Sequence, residues 1–255
     1  MTRPLEGKTI IVTGAAGGIG HDASLVLALA GARLVLTDVA AEGGEAAAAA
    51  VRGEGGDAIF VAADLASEAE IEALVDKAVA HYGRLDGAFN NAGVEQKNKP
   101  LGELTLDEWN RAIAIDLTAV FLCIKYQVRA MLASGGGSIV NTASSLGQVA
   151  IPGASEYVAA KHGVVGLTRA AGADYAAKGV RVNAVLPGIV ETPMISRLSG
   201  DPAFSDMFDR IRARHPIGRF GQPSEIGEAV AWLLSDAASF MNGAAVAVDG
   251  GYLSI

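Results

Sequence analysis

Apolar residues along this chain fall into short β-branched runs separated by longer amphipathic stretches, the alternation expected of strands followed by helices. The runs predict seven strands near 8–13, 33–37, 58–62, 86–90, 137–142, 181–186 and 245–248, with a helix after each except the last. Two helices carry a capping-box pattern at their start, Ser67-x-x-Glu70 and Thr105-x-x-Glu108. Ala46 to Ala50 reads as an alanine-rich helix, because alanine is the strongest helix former. The stretch 105–133 predicts one long helix. Its Ile113, Ile115, Leu117, Val120, Phe121 and Leu122 spread over more than one face, so it is expected to be buried on several sides. No linker or internal repeat divides residues 1–255. Right-handed crossovers then give an α/β fold, a single domain built on a doubly wound, seven-stranded parallel sheet flanked by helices.

The first strand–helix–strand unit carries candidate chemistry. Residues 9–38 place Gly14, Gly17, Gly18 and Gly20 between an apolar run and a helical stretch, and a second apolar run ends in Asp38. Glycines there let the backbone turn tightly and approach a pyrophosphate, which the N–H groups of the following helix face. The spacing is G-x-x-x-G-x-G and departs from the usual dinucleotide fingerprint, but the unit is still Rossmann-like. An acidic residue at the end of the second strand can accept hydrogen bonds from the adenosine ribose and repel a 2′-phosphate. Ala15, Ala16 and Gly17 offer that phosphate no cation. NAD is therefore expected rather than NADP.

A second motif lies between Ser144 and Lys161, where Tyr157 stands four residues before the lysine. In a helix this spacing puts both side chains on one face. A cation beside a phenol favours phenolate, so Tyr157 could exchange a proton with an alcohol or a ketone. A nicotinamide cofactor would supply the matching hydride chemistry.

Composition narrows the partners. A formal charge of −8, from 28 acidic and 20 basic residues, argues against nucleic acid or an anionic membrane and leaves a small molecule as the expected partner. The hydrophobic content of 51% excludes a disordered chain. Cys123 is the single cysteine, within an apolar stretch, and is read as buried rather than nucleophilic. His21, His81, His162 and His215 lack metal-ligand spacing, so no metal site is expected. Neither a secretory leader nor a membrane-spanning run is evident, and a cytoplasmic location is expected.

Taken together, these segments resemble the short-chain dehydrogenase/reductase family in its single-domain branch, over nearly the whole chain. The matching motifs are Thr13-Gly14-x-x-x-Gly18-Ile19-Gly20, Asp64-Leu65, Asn90-Asn91-Ala92-Gly93, the Ser144, Tyr157 and Lys161 set, and Pro187-Gly188-Ile189-Val190-Glu191-Thr192. The resemblance implies an adenine contact at Asp64 and Leu65 and an adenosine contact at Asn90, Asn91 and Gly93. It further implies a nicotinamide-holding turn from Pro187 and Gly188 through Val190 and Thr192. Ser144 and Tyr157 would hold the substrate oxygen, Lys161 the nicotinamide ribose, and the usual assembly is a homotetramer.

One position departs from the family pattern: Asp116 stands where an asparagine usually completes the catalytic set. Its main-chain carbonyl can still serve. An anion beside Lys161 would, however, partly cancel the lysine's effect and move the activity optimum toward alkaline pH. The alternative is a neutral replacement.

Residues 189–220 correspond to the family's substrate lid, and Arg219 resembles a recurrent structural position in it. Arg210, Arg212 and Arg214 are read as a solvated surface rather than an anion clamp. Leu146, Gln148, Met194 and the Glu95-Gln96 loop are candidate pocket walls, suited to a secondary alcohol, a cyclic diol or a hydroxysteroid-like ring. Two other readings stay open: a β-ketoacyl carrier-protein reductase, and a noncatalytic NAD-sensing regulator.

Overall fold

The computed structural model describes residues 3–192 and 205–255, with backbone alone for 205–208. Seven parallel strands form one sheet: β1 (Thr9–Thr13), β2 (Arg33–Asp38), β3 (Asp57–Ala62), β4 (Gly87–Asn90), β5 (Gly137–Thr142), β6 (Val180–Pro187) and β7 (Ala245–Val248). Their order is β3-β2-β1-β4-β5-β6-β7. β1 pairs with β2 on one side and β4 on the other. The winding reverses there, and in open parallel sheets such a switch point leaves a crevice at the carboxyl ends of the strands.

The helices among the described residues are α1 (Gly18–Leu29), α2 (Ala41–Gly53), α3 (Glu68–Tyr82), α4 (Leu106–Ile113), α5 (Ala119–Ala133), α6 (Ser155–Tyr175), α7 (Ser205–Ala213) and α8 (Pro223–Leu234). Because side chains alternate along a strand, β1 feeds both faces of the sheet. Ile10 and Val12 join Leu27, Leu34, Leu36, Phe89 and Val230 in one core, while Ile11 joins Val35, Leu74, Ile139, Val164 and Val182 in the other. Each fully buried Ile or Leu contributes about 1.5–3 kcal/mol of transfer free energy. Strands buried on both faces are continuous apolar runs for this reason.

The predicted strands are all present, with β6 extended by one residue at each end. Two local expectations change. Thr105 and Glu108 form their capping box, but the Ser67 side chain caps nothing, and Glu70 instead accepts from Asp64 N at 2.8 Å. The long helix expected over 105–133 is interrupted by a π-helical turn at Ala114–Thr118, which divides α4 from α5. Asp116 sits in that turn.

Candidate active site

The turn between β1 and α1 is closed against the segment after β4. Gly14 has φ +67°, and a Cβ there would lie 2.9 Å from Ala92 Cα; one at Gly20 would lie 2.1 Å from Gly14 O. No larger residue fits either place. Thr13 Oγ1 accepts from the N–H groups of Asn91 (2.9 Å) and Ala92 (3.0 Å), and Asn91 Nδ2 donates to Thr13 O at 3.2 Å. Gly17 caps α1 without a side-chain acceptor, and no acidic residue occupies the first turn. The helix therefore presents its amides and the positive end of its dipole to an anion. Among the described residues, nothing lies within 4 Å of where a Cβ on Gly17 would stand.

Asp38 ties the second strand to this turn. Its Oδ2 accepts from Ala16 N at 3.1 Å and its Oδ1 from Ala40 N at 3.0 Å. Ile19 packs against the core beneath α1, and Leu65 is buried beside β3. Asp64 Oδ1 accepts from Ala66 N at 2.9 Å. The Pro187–Thr192 turn reaches the glycine turn from the other side, since a Cβ on Gly18 would come 3.4 Å from Thr192 Cγ2. Glycine turn, open helix terminus and facing Thr192 together make a cradle that fits a dinucleotide.

On α6, Lys161 Nζ lies 5.3 Å from the Tyr157 ring centroid, as the four-residue spacing predicts. The ammonium is nearly inaccessible and donates to Thr142 O at 3.2 Å. Ser144, two residues beyond β5, accepts from Leu146 N at 3.1 Å through Oγ. These contacts bring the carboxyl end of β5 and the first turns of α6 to one place.

Asp116 joins this group from the π-helical turn, a feature that often marks functional sites. Its carboxylate is fully buried, with Oδ1 3.4 Å from Lys161 Nζ and 3.0 Å from the Val94 amide that donates to it. Oδ2 has no hydrogen-bond partner among the described residues. Gly93 is needed for this approach, because a Cβ there would meet Asp116 Oδ1 at 2.6 Å. Burial raises the carboxyl's pKa above its ordinary value, opposed by the Lys161 cation and the Val94 N–H and assisted by the Glu156 carboxylate.

The folded chain holds a proton that the unfolded chain releases above about pH 4, so stability falls as pH rises through that window. Asp116→Asn is expected to raise the thermal midpoint at pH 8 and to change it much less at pH 4. Its activity optimum should also move to lower pH. Thermal scans at both pH values and a pH–rate profile check this, and an equal or negative change at pH 8 would refute it.

One assigned residue, Asn90, is used differently from the expectation, and several supporting residues were not anticipated. The Asn90 side chain is spent inside the protein, exchanging hydrogen bonds with Gln127 and donating to Asn141 Oδ1 at 2.9 Å, while Asn141 donates to Thr168. It fixes the end of β4 rather than facing a ligand, and neither Gln127 nor Thr168 stood out in the sequence. His215 is also a support. Its Nε2 accepts from Ile189 N at 3.1 Å, which leaves Nδ1–H to donate to Ile211 O and pins the turn after β6. Glu156 is the third residue missed. It precedes Tyr157, is fully buried, and accepts from Lys97 N at 2.7 Å through Oε1. A glutamate in a helix's first turn looks like an ordinary dipole partner, so the sequence gives no sign of its burial.

Among the other candidates, Leu146 and Gln148 follow Ser144 and the Glu95-Gln96 loop follows β4, whereas Met194 and residues 193–204 of the lid segment lie outside the described residues. Arg212 pairs with Asp209 at 2.6 Å and Arg214 lies over Tyr252 at 4.6 Å, in keeping with a surface role. Arg219 forms a two-pronged ion pair with Glu225. Burial pushes the Cys123 thiol up to about 12, far from a nucleophile's range. Among the described residues no cluster of metal-ligating side chains occurs, and no helix is long and apolar enough to cross a membrane.

Comparisons with known proteins agree with this geometry. A family model described as enoyl-(acyl carrier protein) reductase matches residues 14–253. The 2,5-dichloro-2,5-cyclohexadiene-1,4-diol dehydrogenase of Sphingobium indicum is 48% identical over 252 residues, covering 98% of this chain and 99% of the relative. The cis-4-hydroxycyclohexanecarboxylate dehydrogenase of Sinomonas cyclohexanicum is 47% identical, covering 97% of each. The crystal structure of levodione reductase superposes with a TM-score of 0.93 at 38% identity, covering 98% of this chain and 99% of that one. Two other solved structures, 36% and 33% identical with TM-scores of 0.92 and 0.89, hold bound NADP. By motif order, sheet topology and likeness along its whole length, the chain belongs to the short-chain dehydrogenase/reductase family, oxidoreductases that use nicotinamide cofactors.

Proposed function

We propose that this protein is an NAD-dependent dehydrogenase that interconverts a secondary alcohol on a six-membered ring, such as a cyclic diol, with its ketone. The observation that carries the reading is the Tyr157–Lys161 pair standing beside the glycine cradle, with its 5.3 Å approach of ammonium to ring. Gly14, Gly17, Gly18, Ile19 and Gly20 would hold the pyrophosphate, Asp38 the adenosine ribose, and Asp64, Leu65, Asn91 and Gly93 would border the adenosine side. Pro187, Gly188, Val190 and Thr192 would border the nicotinamide. When bound, that ring supplies the acceptor for the hydride leaving the carbinol carbon. Tyr157 takes the hydroxyl proton as the carbonyl forms and returns it in reduction, Ser144 donates a hydrogen bond to the same oxygen, and Lys161 stands 5.3 Å from the phenol ring. The named ring-alcohol relatives support the substrate class.

A panel of cyclic secondary alcohols assayed with NAD and with NADP tests this directly. Reduction of NAD by at least one ring alcohol is expected. If the protein binds NADH yet oxidises no member of the panel, the noncatalytic sensor gains. Reduction of an acyl-carrier thioester with NADPH would favour the carrier-protein reductase, the reading nearest to the description of the matching family model.

The assembly belongs to the same reading. Val120, Leu122 and Ile124 are already buried within one chain, but Leu106 and Phe121 on the α4–α5 side stay 71% and 47% exposed. We infer a homotetramer covering them, working in a reducing compartment such as the cytoplasm where Cys123 stays a thiol. Light scattering should return four chain masses across a range of concentrations, and a monomer mass would end the proposal.

A further inference from the structure

Residues 94–98, which follow β4 and Gly93, belong to no helix or strand, and among the described residues no backbone-to-backbone hydrogen bond reaches them. Two amides attach the segment instead. Val94 N–H donates to Asp116 Oδ1 at 3.0 Å, and Lys97 N–H donates to Glu156 Oε1 at 2.7 Å. Both acceptors are fully buried carboxylates. One lies beside Lys161 and the other precedes Tyr157 in the chain. The far end is held by shape: Asn98 has φ +56°, and its backbone packs so closely on Gly153 that a Cβ there would come within 3.3 Å of it.

We propose that Glu156 is a positioning residue that clamps the 94–98 segment across the start of α6 and thereby sets the substrate-side wall of the active site. A cavity of about 490 Å³ opens next to the clamp, lined by Asn98, Leu101, Ile151, Pro152 and Ser155 among others. Asn98 is one residue from Lys97 and Ser155 one residue from Glu156, so the clamp fixes two sides of that cavity. Ser144, Tyr157 and Lys161 do not line it; Ser155, two residues before Tyr157, places it at the same end of α6 as the catalytic set.

A carboxylate serves here because a charged acceptor makes a stronger bond to an amide than a neutral one does. Burying it is costly when a bond is left unmade, and Oε2 has no hydrogen-bond partner among the described residues. Oε1 is spent on the Lys97 amide, while the charge of the carboxylate reaches Asp116 beside Lys161. Loss of the clamp should therefore act on substrate affinity, whereas loss of the charge acts on the Asp116–Lys161 pair, and the two separate when the oxygen is kept and the charge removed.

The test compares Glu156→Met and Glu156→Ala, which delete the acceptor at different volumes, with Glu156→Gln, which keeps an oxygen for the Lys97 amide. Hydrogen exchange of peptides spanning 94–99 in the whole protein should accelerate about tenfold or more in Met and Ala and stay near wild type in Gln, the loss expected for one buried hydrogen bond to a charged group. The KM for a ring alcohol should rise about tenfold in Met and Ala, with the cofactor KM changing less than about threefold and any change in kcat shared by all three variants, since each removes the charge that reaches Asp116, and Gln should restore the alcohol KM. Unchanged exchange in Met and Ala would refute the clamp. Faster exchange with an unchanged alcohol KM, or equal loss in Gln, would refute its role in affinity. Only the kinetic arm rests on the dehydrogenase reading: if wild type oxidises no alcohol, that reading fails, and exchange still decides the clamp.

Discussion

Replacing Tyr157 with phenylalanine is expected to lower kcat by about 10³-fold while leaving NAD binding within about twofold of wild type. The phenylalanine keeps the ring that Lys161 approaches at 5.3 Å and removes only the oxygen. Packing changes little, because Tyr157 is only partly buried at the start of α6. A hydroxyl proton then has no acceptor as the carbonyl forms. The Lys161 side chain cannot replace it, being committed to Thr142 O and Asp116. Cofactor titration by calorimetry beside steady-state kinetics separates the two effects. Turnover retained within tenfold would remove Tyr157 from the proton step, whereas loss of NAD binding would make its role structural.

The same set shows what a sequence can and cannot disclose. All seven strands were legible because a doubly covered parallel sheet demands unbroken apolar runs, and Ile10, Ile11 and Val12 satisfy both faces at once. The Tyr157–Lys161 stacking was legible because it depends only on helical period. The π-helical turn around Asp116 was not, since its extra residue leaves the apolar pattern of 105–133 nearly unchanged. Glu156, Asn90 and His215 escaped for a different reason. Their roles depend on burial and on partners 26 to 59 residues away, Lys97, Gln127 and Ile189, which no local pattern encodes. The box at Ser67 is undone locally: Glu70 accepts from the Asp64 amide, and the Ser67 amide that Glu70 would have served donates to Asp64 O at 3.0 Å. A neighbouring turn thus takes both groups that the four-residue pattern would pair.

Cofactor choice should rest on Asp38, with kcat/KM for NAD exceeding that for NADP by about 100-fold or more. The carboxylate is anchored by the Ala16 and Ala40 amides at the end of β2, so it cannot swing aside for a 2′-phosphate. Two unit charges about 4 Å apart at a protein surface interact by about 4 kcal/mol, and the half-exposed position reduces that to a share still worth two decades. No cation in Ala15, Ala16 or Gly17 offsets the repulsion, and Val39 beside it is 69% exposed and uncharged. Asp38→Asn retains an oxygen for the Ala16 amide while removing the charge. It should narrow the NAD preference at least tenfold, mostly through a lower KM for NADP. Adding Val39→Arg supplies the missing cation and should carry the preference toward NADP. Comparing kcat/KM for both cofactors across wild type, the single and the double variant checks each step. A wild type that takes NADP as readily as NAD would show that the 2′-phosphate lies beyond reach of Asp38, and both substitutions would then leave the ratio unchanged.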